Sequence, residues 1–309
     1  MLSSILTLFK APRYVLNFPS LNKIGLQRFR IKRKLSELKT APSYHLEGEA
    51  LKVFNELEKD GIVIIKDFLS PEEFIELDSQ IKTLRHKKML KNEVGKEGGL
   101  VQWEHGNFPH GFSNLIENRF RKNHFLISII SNYTRRKFLS FPEIIYQNLS
   151  ILKGDVDEED VQTVLHVDRY FRTVKVFYTV SDYTPDNGAF WFAPGSHTMS
   201  AKRFKYEQEY SVRSSLERTG HKDQLDQNLL ELGRSTIHPE LRKDFVETQM
   251  CTPKNSLIIV DVSGFHKRGL ISPGHSRETI RINYHYLHAP YISQWILKSI
   301  KRSPGRYLN

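Results

Sequence analysis

The apolar positions of this chain first follow a helical period and then a strand period. Leu51, Phe54 and Leu57 recur at helical spacing until Gly61 breaks the pattern, which predicts a helix ending there and a strand over Ile62, Val63, Ile64 and Ile65. A second helix is predicted after it. Ser70 is an N-cap serine, Pro71 suits the first helical position, Glu72 and Glu73 complement the positive helix start, and Phe74, Leu77, Ile81 and Leu84 form one buried stripe. Residues 85–125 lose this periodicity. They are rich in Lys, Gly, Asn and His, include Gly98-Gly99, Trp103, His105, His110 and His124, and are expected to form loop that either reaches over a site or lies solvated.

Strand signals dominate thereafter, with apolar runs from Ile144 to Leu152, Val161 to His166, Val174 to Val180, Ala189 to Phe192, Phe245 to Cys251, Leu257 to Val260 and Ile280 to Leu287. Short strands with turn punctuation predict an all-β barrel. Asn187-Gly188 suits a tight hairpin turn between the strand ending near Ser181 and the one starting at Ala189. The acidic stretch Gly154 to Asp160 lacks the spaced ligands of a calcium loop and is expected to be a solvated turn. Residues 198–244 mix basic and acidic side chains at helical spacing with no strand of their own, and so form a helical insertion, either a lid or a packed decoration.

Composition narrows the class. A chain of 309 residues, 39% hydrophobic and 11% aromatic, buries a full core. One cysteine, Cys251, excludes an internal disulfide framework, and no apolar run reaches the ~18 residues needed to cross a bilayer, so a soluble cytoplasmic protein is the default expectation. Charge is unevenly spread. The chain carries +11, and residues 1–36 hold eight Lys and Arg with no Asp or Glu, which marks residues 1–45 as a basic N-terminal extension to a domain of residues 46–309. The absence of a basic stretch before the apolar start argues against a secretory signal. A transit peptide, an arm lying on anionic membrane and a helical arm packed on the body all fit, and deletion of residues 1–36 is expected to leave a folded body. No stacking-aromatic pattern or recognition helix accompanies the basic residues, which argues against nucleic acid. The oligomeric state is not legible.

Candidate chemistry centres on Leu165-His166-Val167-Asp168. A strand sends alternate side chains to one face, so His166 and Asp168 aim at the same point. His266 follows the apolar run Leu257 to Val260 and the turn Ser263-Gly264. Two histidines and one carboxylate occupy one face of an octahedral ion, leave three positions open and suit non-haem Fe(II) that activates oxygen. Their ligating atoms are expected within about 4 Å of one another.

Four segments in order resemble the phytanoyl-CoA dioxygenase family of Fe(II)/2-oxoglutarate oxygenases. They are Asp60-Gly61-Ile62-Val63-Ile64-Ile65 running on to Ser70-Pro71-Glu72-Glu73-Phe74, the pair His166-x-Asp168, Asn187-Gly188-Ala189-Phe190 leading to Pro194-Gly195-Ser196-His197, and His266 with Arg277 eleven positions later. The resemblance implies a mainly β fold with flanking helices, a double-stranded β-helix or cupin-like jelly-roll barrel, in which His166-x-Asp168 and His266 lie on strands that face each other. It implies Fe(II) on His166, Asp168 and His266, with 2-oxoglutarate and O2 as co-substrates. The far carboxylate of 2-oxoglutarate then needs a buried cation. Arg277 stands where the family carries this arginine, Arg281 lies on the same strand face, and Arg277 is favoured.

Tyr178 matches a family position flanking the co-substrate and equally fits an ordinary core aromatic. His197 is not counted as a ligand, its motif being expected to end a strand and shape the pocket wall. His285 and His288 read as core or surface histidines, and Asp261 as a strand-end residue able to bond a neighbouring loop. The implied reaction decarboxylates 2-oxoglutarate to succinate and CO2 while hydroxylating an unactivated C–H bond of a small-molecule or lipid-like substrate. Asp168 favours hydroxylation over halogenation, which requires a small residue at that position. Nothing matches a specific coenzyme A site. The alternative class is a non-catalytic β-barrel ligand-binding protein or a membrane-associated scaffold, distinguished by iron content.

Overall fold

The structure, a computed structural model, describes residues 18–40, 42, 44–86, 91–94, 100–105, 113–136, 142–151, 162–221 and 237–284. The acidic turn, His110, His285 and His288 lie outside these residues. Helices α1 (Pro19–Lys23) and α2 (Leu26–Glu37) precede α3 (Gly48–Asp60), strand β1 (Ile62–Ile65) and α4 (Pro71–His86). Here the local signals act as expected. Gly61 takes φ 77°, the left-handed conformation that closes α3 without a Cβ penalty. Ser70 Oγ accepts from Glu73 N at 3.3 Å and Glu73 Oε2 accepts from Ser70 N at 3.1 Å, a reciprocal cap on α4. Leu77 and Ile81 are buried beneath it.

The stretch expected to be loop instead holds β2 (Lys91–Val94), β3 (Leu100–His105), α5 (Asn114–Ile116), a π-helical turn (Glu117–Arg121) and the start of α6 (His124–Thr134). β2 and β3 extend the main sheet at its edge. Their polar residues, such as Lys91, Glu93 and Gln102, hid them; β2 is the edge strand, where charge discourages further pairing, and β3 lies between it and β4. Then come β4 (Glu143–Ile151), β5 (Val174–Thr179), β6 (Trp191–Phe192), α7 (Ala201–Arg218), α8 (Pro239–Arg242), β7 (Thr248–Gln249), β8 (Leu257–Asp261), β9 (His266–Lys267) and β10 (Ser276–Asn283). β6 and β7 are shorter than their apolar runs. Irregular bonds continue the pairing, with Ala193 N on Phe265 O at 3.0 Å and Met250 N on Phe190 O at 2.7 Å. The run Val161 to His166 is not a strand among the described residues; His166 forms only an isolated bridge.

Two antiparallel sheets result, β1-β8-β5-β10-β4-β3-β2 and β7-β6-β9. The larger is covered by α3, α4 and α6 on one face, where Leu57, Ile81, Ile129, Val176, Tyr178, Ile259 and Ile280 pack together. Its other face meets the smaller sheet over Ile62, Phe192, Ile258 and Val260. Strand β8 is buried on both sides, which is why its apolar run is continuous and not alternating. This is the jelly-roll, or double-stranded β-helix, arrangement with flanking helices. Asn187-Gly188 does not close a hairpin, because β5 and β6 belong to different sheets. Only Gly188 has positive φ; Asn187 turns the corner with its carboxamide, accepting from Thr184 N at 2.9 Å and donating to Asp182 O at 2.6 Å.

Helices α1 and α2 pack on α7 of the 198–244 region. Asn22, Gln27 and Ile31 are buried, and Asn22 Nδ2 reaches Ser211 O at 3.3 Å. Residues 19–37 therefore share buried surface with the body and are not a detached arm. Among the described residues no helix is long and apolar enough to cross a membrane.

Candidate metal centre

Strand alternation sorts the large sheet into a core face and a chemical face. On β5, Val174, Val176 and Tyr178 turn to the helices, while Lys175 and Phe177 turn to a cavity of about 360 Å³. On β10, Ile280 and Ile282 turn to the helices, while Arg277 and Arg281 line the same cavity. His166, Asp168 and His266 complete its wall with Phe190, Gln162 and Arg268. The three candidate ligands come together, one ligating atom from each lying within 4.8 Å of the others. Asp168 Oδ1 stands 3.7 Å from both His166 Nε2 and His266 Nε2. The set is somewhat wider than the ~4 Å expected of it.

His166 and His266 are not on opposed strands. They pair with each other, each amide donating to the other's carbonyl at 2.9 Å, and their rings sit 4.5 Å apart. Each ring gives its Nδ1 to a carbonyl two residues earlier, His166 to Val164 O at 2.7 Å and His266 to Gly264 O at 2.9 Å. A carbonyl only accepts, so the proton sits on Nδ1 and the bare Nε2 faces the shared centre. Burial and the neighbouring His166 lower the His266 pKa to about 4, which keeps the ring neutral and its lone pair available. Burial alone would raise the Asp168 carboxyl. Lys175, His266 and His166 outweigh it and hold that group at about 2, ionised.

The turn that carries His266 is built from Asp261, at the end of β8. Its Oδ1 accepts from Thr173 N at 3.0 Å and Ser263 N at 2.9 Å, and its Oδ2 accepts from Tyr133 OH at 2.8 Å. One carboxylate thus ties α6, the entry to β5 and the ligand turn. Gly264 fits there because a Cβ would collide with the Phe192 ring. Ser196 Oγ accepts from Phe265 N at 2.8 Å, and the buried Arg203 of α7 donates to the carbonyls of Ser196 and Ser263. His197 lies elsewhere. It sits against Glu58 O and lines a separate cavity of about 200 Å³ with Ile31 and Tyr170, not the pocket wall of the metal donors.

Arg277 is buried, stacks 4.9 Å from the Tyr183 ring and donates to Gly188 O. Its Nε is a buried donor with no hydrogen-bond partner among the described residues. Such a group fits an incoming carboxylate, and bare imidazole nitrogens with an ionised carboxylate fit a divalent iron. Tyr178 does not reach the cavity. It is fully buried on the helix side, packed on Phe68 and Phe120, with its hydroxyl on Asn255 Oδ1 at 3.0 Å, an ordinary core aromatic. Phe177, one residue earlier, lines the cavity in its stead, and period-two spacing from Lys175 would have found both. The contact of Lys175 Nζ with Asp168 Oδ2 at 2.6 Å had no counterpart in the sequence reading.

Among solved structures, the chain is similar to SnoN, a non-haem α-ketoglutarate-dependent epimerase from nogalamycin biosynthesis, with 12% identity over 84% of this chain and 92% of that one and a TM-score of 0.50. The SnoN complex with Fe3+, α-ketoglutarate and nogalamycin RO gives 0.51 at 12% identity over 84% and 93%. SnoK, an α-ketoglutarate-dependent carbocyclase of the same biosynthesis, gives 0.49 at 12% identity over 87% and 97%. At 12% identity the likeness to the two SnoN structures is one of fold. No curated protein matches the sequence. A jelly roll with two histidines and an aspartate converging on one pocket is the architecture of the non-haem iron oxygenases. Within that class the chain belongs to the phytanoyl-CoA dioxygenase (PhyH) family of 2-oxoglutarate-dependent oxygenases, whose family model matches residues 57–229, more than half of its length. The match includes His166 and Asp168 and ends before His266 and Arg277.

Proposed function

We propose that this oxygenase hydroxylates an unactivated C–H bond of a small-molecule or lipid-like substrate, with iron on His166 Nε2, Asp168 Oδ1 and His266 Nε2 and 2-oxoglutarate anchored by Arg277. Residues 46–309 would form the oxygenase domain, with residues 198–244 inserted in it. The observation that carries the reading is the convergence of two bare imidazole nitrogens and one ionised carboxylate on a cavity that also holds a buried, incompletely bonded arginine. When bound, iron, 2-oxoglutarate and O2 supply the oxidation, releasing succinate and CO2.

The chain's own residues supply geometry. The Nδ1 bonds of His166 and His266 fix both rings, and Asp261 fixes the turn that presents His266. Arg277 orients a five-carbon diacid by its far end, in a bidentate grip that lysine would not match. Phe177 and Phe190, with ring centroids 5.9 Å apart, form an apolar wall that sheds water from the donors. Arg281 is the less buried of the two candidate arginines and faces the remaining cavity. The test is an anaerobic titration of the apo-protein with Fe(II) and 2-oxoglutarate. A weak visible charge-transfer band should saturate only when both are present, and its absence would end the reading.

A further inference from the structure

A carboxylate offers a metal one oxygen or two, and the choice decides how many positions stay open. Two histidines and one carboxylate oxygen leave three on an octahedral ion; a second oxygen leaves two. A chelating 2-oxo acid takes two. The third position therefore exists only if Asp168 binds through a single oxygen.

The Asp168 carboxylate is divided between two partners. Oδ1 faces both imidazole nitrogens at 3.7 Å, and Oδ2 meets Lys175 Nζ at 2.6 Å, a short charge-assisted contact. Both residues are anchored. Lys175 stands in β5, a strand paired on both sides with β8 and β10, with its neighbours Val174 and Val176 buried among the helices. The Asp168 amide donates to Val262 O at 3.0 Å, which fixes the aspartate from its backbone. Rotating Oδ2 toward the histidines would break the lysine contact and leave an ammonium facing a divalent ion.

We propose that Lys175 is a positioning residue of the metal centre, one that occupies Oδ2 and so holds Asp168 to one-oxygen ligation. The proposal rests on the iron reading given above. A lysine suits the task because its ammonium is a compact, charged donor that engages the one oxygen turned away from the histidines.

The test uses the full chain loaded anaerobically with Fe(II) and 2-oxoglutarate, with nitric oxide as the probe of the remaining position, read by the EPR signal of the iron nitrosyl. Native protein should give the signal at full occupancy. Lys175→Met and Lys175→Leu should retain iron and the charge-transfer band but bind nitric oxide roughly tenfold more weakly or worse. Lys175→Arg, which keeps a donor and a charge, should recover most of the signal. Neutral variants that bind nitric oxide as native protein does overturn the proposal. So does loss of iron from every folded neutral variant while Lys175→Arg stays native, since the lysine would then hold the ligand set together without choosing its mode. Native protein that takes up no Fe(II), or gives no charge-transfer band, overturns the reading of the site and this proposal with it.

Discussion

A neutral His266 is stabilising only while the pH keeps unfolded histidine neutral too. The folded ring resists protonation down to about pH 4 because burial and His166 oppose the charge, whereas an unfolded histidine takes a proton near 6.5. Between those values the unfolded chain binds more protons, so lowering the pH through that window removes stability, by roughly 3 kcal/mol in total. Thermal unfolding of the apo-protein from pH 7 to pH 4 should show the decline, and His266→Leu should flatten it. For Arg277→Leu we expect iron uptake close to native and a 2-oxoglutarate requirement raised about 100-fold, since a lost bidentate charge-assisted pair costs about 3 kcal/mol. If Arg281→Leu gives that phenotype and Arg277→Leu does not, the anchor is Arg281. Tyr178→Phe should cost about 1 kcal/mol of stability through its bond to Asn255 and leave the 2-oxoglutarate requirement unchanged. Arg277, singled out by the resemblance, does line the cavity; Tyr178, singled out the same way with a core role weighed equally, does not, because a one-residue shift on a strand exchanges the two faces.

At the scale of elements, Asp261 joins three segments that are remote in sequence. Asp261→Ala would strand the Tyr133 hydroxyl and the amides of Thr173 and Ser263, and is expected to cost about 3 kcal/mol or more while weakening Fe(II) binding about tenfold or more. Calorimetry paired with metal titration checks both effects; loss of stability with native iron affinity would mean the turn holds its shape without the carboxylate. Helices with local punctuation were legible from sequence, Gly61 closing α3 and the Ser70 box opening α4. Strands β4, β5 and β8 were legible because apolar runs mark them, whereas the run from Ile280 caught only the second half of β10, whose first half is polar. The polar strands β2 and β3 and the two-residue strands of the small sheet were not, since what defines them is pairing with a partner and not an apolar run of their own. The Lys175–Asp168 contact was hidden for a different reason: two residues seven apart meet only because the segment between them doubles back.

Across the whole molecule, α2 presents two surfaces. Its inner side buries Ile31 and sets Arg30 over the Tyr170 ring at 4.8 Å, two residues after Asp168. Beside its outer side, Ile24 and Phe29 are exposed among Lys23, Arg28, Lys32 and Arg33, which is where the expected contact with anionic membrane would fall. Full-length protein is expected to sediment with anionic vesicles at low salt, to release as salt rises, and to lose binding in the double variant Ile24→Asp, Phe29→Asp. Vesicle binding that ignores both salt and the substitutions would rule the surface out. Deletion through Glu37 should also lower the melting temperature, because it uncovers α7. The alternation of β10 carries a last consequence. A slip of one residue would drive Arg277 and Arg281 into the packed helices and leave Ile280 in the polar cavity, so each odd-numbered slip is penalised by two stranded charges at once. The two arginines on the cavity face are thus expected to disfavour out-of-register pairing, and a variant neutral at both positions should refold with a lower yield of native protein, measured by recovery after dilution from denaturant.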